Sequence, residues 1–199
     1  MMAGRFIKVA GTALALILSG NVANAASPAG MGRSLHLPPA SSFISTSRAT
    51  LAPFAFVRFC RSNQADCAAE SGESIVNLTA ENRRKLQSVN SSVNRSIKPV
   101  NDSPSQGDVW AADVTSGDCE DFALTKRRHL IAQGWPARSL RIAVARTRSG
   151  EGHAVLVVKT SEGDLVLDNR FSAIRAWDKT DLIWEKIQSG ENPRLWFDI

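Results

Sequence analysis

The chain has 199 residues, 43% apolar and 22% charged, with no tyrosine and a formal net charge of +5. That length suits one domain with a real core and leaves no room for two comfortable ones. Basic residues are scattered among acids without a Lys/Arg block, which argues against a nucleic-acid-binding protein.

Residues 1–25 read as a secretory signal peptide. Arg5 and Lys8 give a positive start, and Val9 to Gly20 form an apolar run too short to span a membrane. Ala23-Asn24-Ala25 is an A-x-A cleavage signature. An uncleaved anchor is the alternative reading of the same run. Cleavage after Ala25 would lower the charge from +5 to +3, and no apolar stretch of transmembrane length remains. The mature chain is thus expected outside the cytoplasm, where disulfides persist. Residues 26–50, rich in Ser, Ala, Gly and Pro, read as a mobile leader ahead of a single domain over 51–199.

Pro53 to Cys60, "PFAFVRFC", is apolar and aromatic and suits an extended segment or a short helical turn. Cys60 and Cys67 flank the polar loop "RSNQAD" and are natural disulfide partners in an oxidising compartment. Cys119 is left as the odd thiol, either reactive or buried. A helix is expected from Leu78 to about Ile97, because Leu86, Val89, Val93 and Ile97 fall three and four apart. Thr79 can cap its start, and Pro99 lies just past its end. Residues 101–118 form a loop by composition, with Trp110 as its apolar anchor.

A second helix is expected from Cys119 to Gln133, with Asp118 as N-cap and Asp121 in the reach-back position of a capping box. Gly134 and Pro136 end it. Cys119, Phe122, Ala123, Leu130 and Ile131 are placed on one face, with Lys126, Arg127 and Arg128 towards the outside. The pattern then becomes β-rich: Leu140 to Thr147, His153 to Thr160 and Asp164 to Asp168 read as an antiparallel meander with short turns. The middle strand is apolar on both faces and therefore central. "KTDLIWEKIQSG" near the C-terminus is expected to be one more short helix. The fold class is α+β, with N-terminal helices packed on an antiparallel sheet.

The chemistry centres on "GDCEDFAL", Gly117 to Leu124. A cysteine at a helix start has the macrodipole and free backbone N–H groups to favour a thiolate and to hold an oxyanion. His153 opens one strand and Asp168 closes the next, so a hairpin brings them within a few residues of facing each other. Cysteine as nucleophile, histidine as base and aspartate as orienting group form a recognisable set. Each residue alone has an ordinary reading: a buried thiol, a satisfied strand-end histidine, a turn cap. His36 lies in the leader, and His129 is too far along its helix to serve.

Asp118, Glu120 and Asp121 oppose thiolate formation unless a counter-charge is present. A bound divalent cation would resolve the conflict, and carboxylates without a His or Cys pair suit a hard ion such as Ca²⁺. A solvated acidic helix start is the alternative. The spacing is not that of an EF-hand.

"GDCEDFALTKRRHLIAQGW" and "GHAVLVVKTSEGDLVLDN" resemble the bacterial transglutaminase-like cysteine peptidase family, whose best-known type is the LapG-like periplasmic protease. The family motif runs G-D-C-E-D-[YF]-A, then G-H-x-V-L, then L-D-N, and the likeness spans roughly residues 34–199. The resemblance implies a papain-like, transglutaminase-core fold with Cys119, His153 and Asp168 as the triad. It also implies calcium beside the cysteine, on Asp118 and Glu120 with Asp121 the weaker ligand. Phe122 stands where the family often has tyrosine. LapG-like members clip large surface adhesins and are sequestered by an inner-membrane cyclic-di-GMP receptor. A protein substrate of that kind, a receptor partner and a periplasmic or secreted location are the expectations carried over. Acyl transfer to an amine and a non-catalytic binding protein are the rival readings; a zinc site built from the triad residues lacks metal-ligand spacing.

Mass spectrometry of the unreduced mature protein should show Cys60 joined to Cys67 and a chain starting at Ala26. Two free thiols at those positions would refute the pairing.

Overall fold

The computed structural model describes residues 42–105 and 107–199. The signal peptide, His36 and most of the expected leader lie outside the described residues. Among the described residues no helix is long and apolar enough to cross a membrane.

The apolar segment after Pro53 resolves as helix α1, Phe54–Ser62, burying Ala55, Phe56, Phe59 and Cys60 at helical spacing. A short 3₁₀ turn, Ala65–Cys67, folds back so that Cys60 and Cys67 form a disulfide with a Cα–Cα distance of 5.6 Å. Helix α2, Ala80–Ser96, is capped by Thr79, whose hydroxyl accepts the Asn82 N–H at 3.1 Å. Its stripe of Leu86, Val89 and Val93, continued by Ile97, is buried as its spacing predicts. The strand pair β2, Lys98–Pro99, and β3, Ser116–Gly117, runs parallel and brackets the intervening loop. Trp110 anchors that loop, edge-on to Phe56 with ring centroids 5.6 Å apart.

Helix α3, Cys119–Ala132, corrects one expectation. Lys126 and Arg127 face inward and are buried, while Ile131 is exposed. The helix lies between α2 and the sheet, so it has no broad solvent face to give its basic stretch. The Arg127 guanidinium donates to the Leu140 carbonyl at 3.1 Å and to the Asp66 carbonyl at 2.9 Å. Arg128 pairs with Asp66 at 2.7 Å and Asp113 at 2.9 Å. Gly134, at φ +84°, ends the helix in the left-handed region, as a glycine can do cheaply.

The meander follows as expected: β4, Leu140–Arg146; β5, Gly152–Thr160; β6, Gly163–Leu167. It sits within a seven-stranded sheet with β1, Ala49–Thr50; β7, Arg175–Ala176; β8, Ile183–Gln188; and β9, Trp196–Asp198. The order is β1-β9-β8-β4-β5-β6-β7, and all its pairs are antiparallel. The expected C-terminal helix is therefore strand β8. Pairing with β4 on one side and β9 on the other overrides a weak helical preference in "IWEKIQ", a segment that carries β-branched and aromatic residues.

The folded domain also begins ahead of residue 51. Ala49 and Thr50 pair with Phe197 and Trp196. Further upstream, buried Ile44 donates its N–H to Asp164 Oδ2 at 2.8 Å. Two apolar clusters explain the central strand. Leu156 and Val158 of β5 meet the helices, whereas Val155 and Val157 meet Ile44, Ala143, Val166, Leu182 and Ile187 on the opposite face.

Gly163 sits at φ +116°, and a Cβ there would lie 2.5 Å from the Ser42 carbonyl oxygen. Gly163→Ala should destabilise the protein by about 1–3 kcal/mol in urea unfolding, through backbone strain and loss of the N-terminal contact. An unchanged midpoint would show that the turn relaxes freely.

Candidate active site

Gly117 sets up the start of α3. A Cβ at that position would meet Asp121 Oδ2 at 2.0 Å, so only glycine lets Asp121 fold back. Asp121 Oδ2 then accepts the Asp118 N–H at 3.3 Å, and its Oδ1 accepts the Ala111 N–H at 2.7 Å. Both carboxylate oxygens are thereby used to cap the helix and tie down the loop before it.

Cys119, partly buried, points its thiol at the start of β5. Sγ accepts the Ala154 N–H at 3.2 Å and donates to Glu120 Oε2 at 3.2 Å. The adjacent His153 is buried, with Nε2 2.9 Å from Asp168 Oδ1. Nδ1 is therefore the ring nitrogen left for the thiol. Cys119 and His153 share the walls of two cavities. One, of about 450 Å³, is bounded by Val100, Asp102, Gly152 and Arg170; the other, of about 290 Å³, by Pro53, Trp110 and Val144. The structure thus brings all three expected residues to one place, beside an open cleft.

Asp168 follows directly on the last paired residue of β6. Arg170 donates to it from its backbone N–H at 2.9 Å and from its side chain at 2.8 Å, and reaches Asp181 at 2.8 Å. Burial alone would raise the Asp168 pKa, but hydrogen bonds from His153 and Arg170 outweigh it and hold the carboxyl well below the usual range. Arg170 and Asp181 escaped the sequence reading. The signal was a basic residue two positions after Asp168 in "LDNR".

The acidic group is larger and drier than a solvated helix start. Glu120 and Asp121 are each 4% exposed. Asp102 and Asp108, from the loop between β2 and β3, join Glu120, with one oxygen from each within 4.8 Å of the others; Asp118, Glu120 and Asp121 form a second such group. Asp118 Oδ1 and Glu120 Oε1 are buried without a hydrogen-bond partner among the described residues. Burial, then neighbouring Asp118, raises the Glu120 pKa far above the carboxylate range, and burial lifts Asp121 to about 6. Burial and the Glu120 charge likewise push the Cys119 thiol up. Crowded, unpartnered buried carboxylate oxygens fit a hard divalent cation. Asp121 accepts backbone N–H groups with both oxygens, Asp102 Oδ2 accepts the Val109 N–H at 2.5 Å and Asp108 Oδ1 the Trp110 Nε1–H at 3.1 Å, so the buried oxygens left without a partner among the described residues are on Asp118 and Glu120. The two loop acids were missed because "NDSPSQGD" reads by composition as an ordinary turn. His129 is exposed, 3.6 Å from Asp113 and outside this group.

A helix-borne cysteine set against a His–Asp pair on an antiparallel sheet defines a transglutaminase-like thiol enzyme. The profile of the bacterial transglutaminase-like cysteine proteinases matches residues 46–199, and the chain belongs to that family. It is a transglutaminase-like cysteine peptidase. Among solved structures, calcium-bound LapG from Legionella pneumophila is 32% identical, over 58% of this chain and 68% of that one, with a TM-score of 0.51. Another structure of LapG from the same organism is 28% identical, over 73% and 79%, with a TM-score of 0.50. An EGTA-treated form is 28% identical, over 74% and 80%, with a TM-score of 0.51. No curated protein matches the sequence significantly.

A depressed carboxyl contributes stability that is present above its unfolded pKa, roughly 3.9, and lost as pH falls towards the folded value. Wild-type protein should therefore lose stability between about pH 5 and 2 more steeply than Asp168→Asn. Equal slopes in denaturant titrations at those pH values would remove the assigned charge coupling.

Proposed function

We propose that this peptidase works through Cys119 as nucleophile, His153 as general base and acid, and Asp168 as the group that orients the imidazole. The observation that carries the reading is the convergence of the thiol, the Ala154 N–H and the His153–Asp168 pair at 3.2 and 2.9 Å on one open cleft. His153 Nδ1 takes the thiol proton, and the thiolate attacks the scissile carbonyl carbon. Backbone N–H groups at the start of α3 face the oxyanion that forms. The imidazolium returns its proton to the leaving amine as the C–N bond breaks. Water then hydrolyses the thioester, releasing the new carboxylate and restoring the thiol.

In this reading the acids around Glu120 hold calcium, chiefly through Asp118 and Glu120, which each keep an oxygen unpartnered among the described residues, with Asp102, Asp108 and Asp121 beside them. Calcium bound there supplies the positive charge that offsets the carboxylates beside the thiol. The calcium-bound relative supports this assignment by likeness. The substrate is a protein, by family likeness a large surface adhesin, reached after export to the periplasm or beyond. An inner-membrane receptor that sequesters the enzyme belongs to the same proposal.

Three measurements test the proposal. Cys119 should react with iodoacetamide in the calcium-loaded protein, and His153→Ala should slow that reaction at least about 100-fold. Calcium should raise the thermal midpoint of the wild type over the EGTA-treated protein, and Glu120→Gln should abolish that rise. An adhesin fragment incubated with wild type, but not with Cys119→Ala, should be clipped. Crosslinked product with ammonia release would instead establish amine acyl transfer, and an unreactive Cys119 would leave a binding protein.

A further inference from the structure

Lys126 is 0% exposed, yet among the described residues no carboxylate lies within ion-pairing distance of it. Burying an ammonium without a paired anion is costly, and an apolar side chain would fill the space more cheaply. Packing therefore does not account for this lysine. Its position does suggest a use. It lies seven positions after Cys119, close to two turns, so both sit on the same side of α3. We propose that Lys126 is a positioning residue: its ammonium donates to the Leu167 carbonyl at 3.4 Å and so fixes the strand end that presents Asp168 to His153.

Three contacts converge on that strand end from different elements. Lys126 reaches Leu167 from α3, Asn94 Nδ2 of α2 donates to the Asp168 carbonyl at 3.1 Å, and Arg170 grips the Asp168 carboxylate at 2.8 Å. Of these, Lys126 belongs to the helix that carries the nucleophile. It ties the Cys119 element to the Asp168 element, a second link between helix and sheet beside the Ala154 N–H to Cys119 contact. The ammonium also lies 6.0 Å from the Phe122 ring centroid, a further favourable contact for a dry cation. Burial lowers the ammonium pKa to about 7, while the Asp168 charge pulls it back up. Lys126 thus acts on the reaction through Asp168 and touches no reacting atom.

This inference rests on the triad reading, and the test separates the two. The mature full-length chain is compared with Lys126→Met, Lys126→Gln, Asp168→Asn and His153→Ala. Two properties are read: the rate of Cys119 alkylation by iodoacetamide, and the low-field NMR resonance of the His153 Nε2 proton against Asp168. Lys126→Met should keep or raise the thermal midpoint, slow alkylation about tenfold and weaken the low-field resonance. Lys126→Gln, which keeps a donor for the Leu167 carbonyl, should lose less, and it carries the same readouts if the Met variant does not fold. Wild-type rates and an unchanged resonance in both Lys126 variants, with Asp168→Asn slowed, would overturn the proposal. Wild-type rates in Asp168→Asn and His153→Ala as well would remove the triad beneath it.

Discussion

The hydrogen bond from the Ala154 N–H to Cys119 Sγ, 3.2 Å long, is where the helical half of the molecule is registered against the sheet. A helix packed only by apolar contacts can slide along a sheet by a fraction of a turn with little change in buried area. A polar contact at its first residue removes that freedom. Around it α3 is held by directional bonds as well as by packing: Asp121 to the backbone at its start, Arg127 to the Leu140 carbonyl and Lys126 to the Leu167 carbonyl further along. Burying two cations in one helix is costly, and in the proposed mechanism the return is placement, because a thiol displaced by an ångström would no longer meet its base.

The electrostatics divide the site into two regions of opposite character. Asp168 sits among donors, with His153, Arg170 and the nearby Lys126 all favouring its ionised form. Around Cys119 the balance is reversed: burial and Glu120 favour its protonated form and outweigh the opposing Ala154 N–H. The first region is self-sufficient: its charges are matched by side chains of the chain itself. The second is not, since Glu120 and Asp118 each keep a buried oxygen without a partner among the described residues. The proposed cation would complete this second region from outside.

The fold was legible wherever a local pattern and the tertiary environment agree. The stripe from Leu86 to Ile97, the Thr79 cap, the Gly134 stop and the three-strand meander all follow from periodicity and turn chemistry. β8 was not legible, because its strand character comes from neighbours on both sides rather than from its own alternation. Lys126 and Arg127 were misplaced for a related reason: charge predicts exposure only when no element covers both sides of a helix. Of the candidate site, the convergence of Cys119, His153 and Asp168 could be read from the order of their elements along the chain. The positions of Asp102, Asp108 and Arg170 could not, since they depend on how a loop folds over the helix start and how a turn closes after β6.

The Cys60–Cys67 bond has a reach beyond the small loop it closes. Asp66 stands next to Cys67 and receives both Arg127 and Arg128 from α3. The covalent bond therefore acts as an outrigger: it holds in place the acceptor against which the nucleophile-bearing helix leans. Reduction would cut no contact in the cleft, yet it would loosen the prop on the far side of α3.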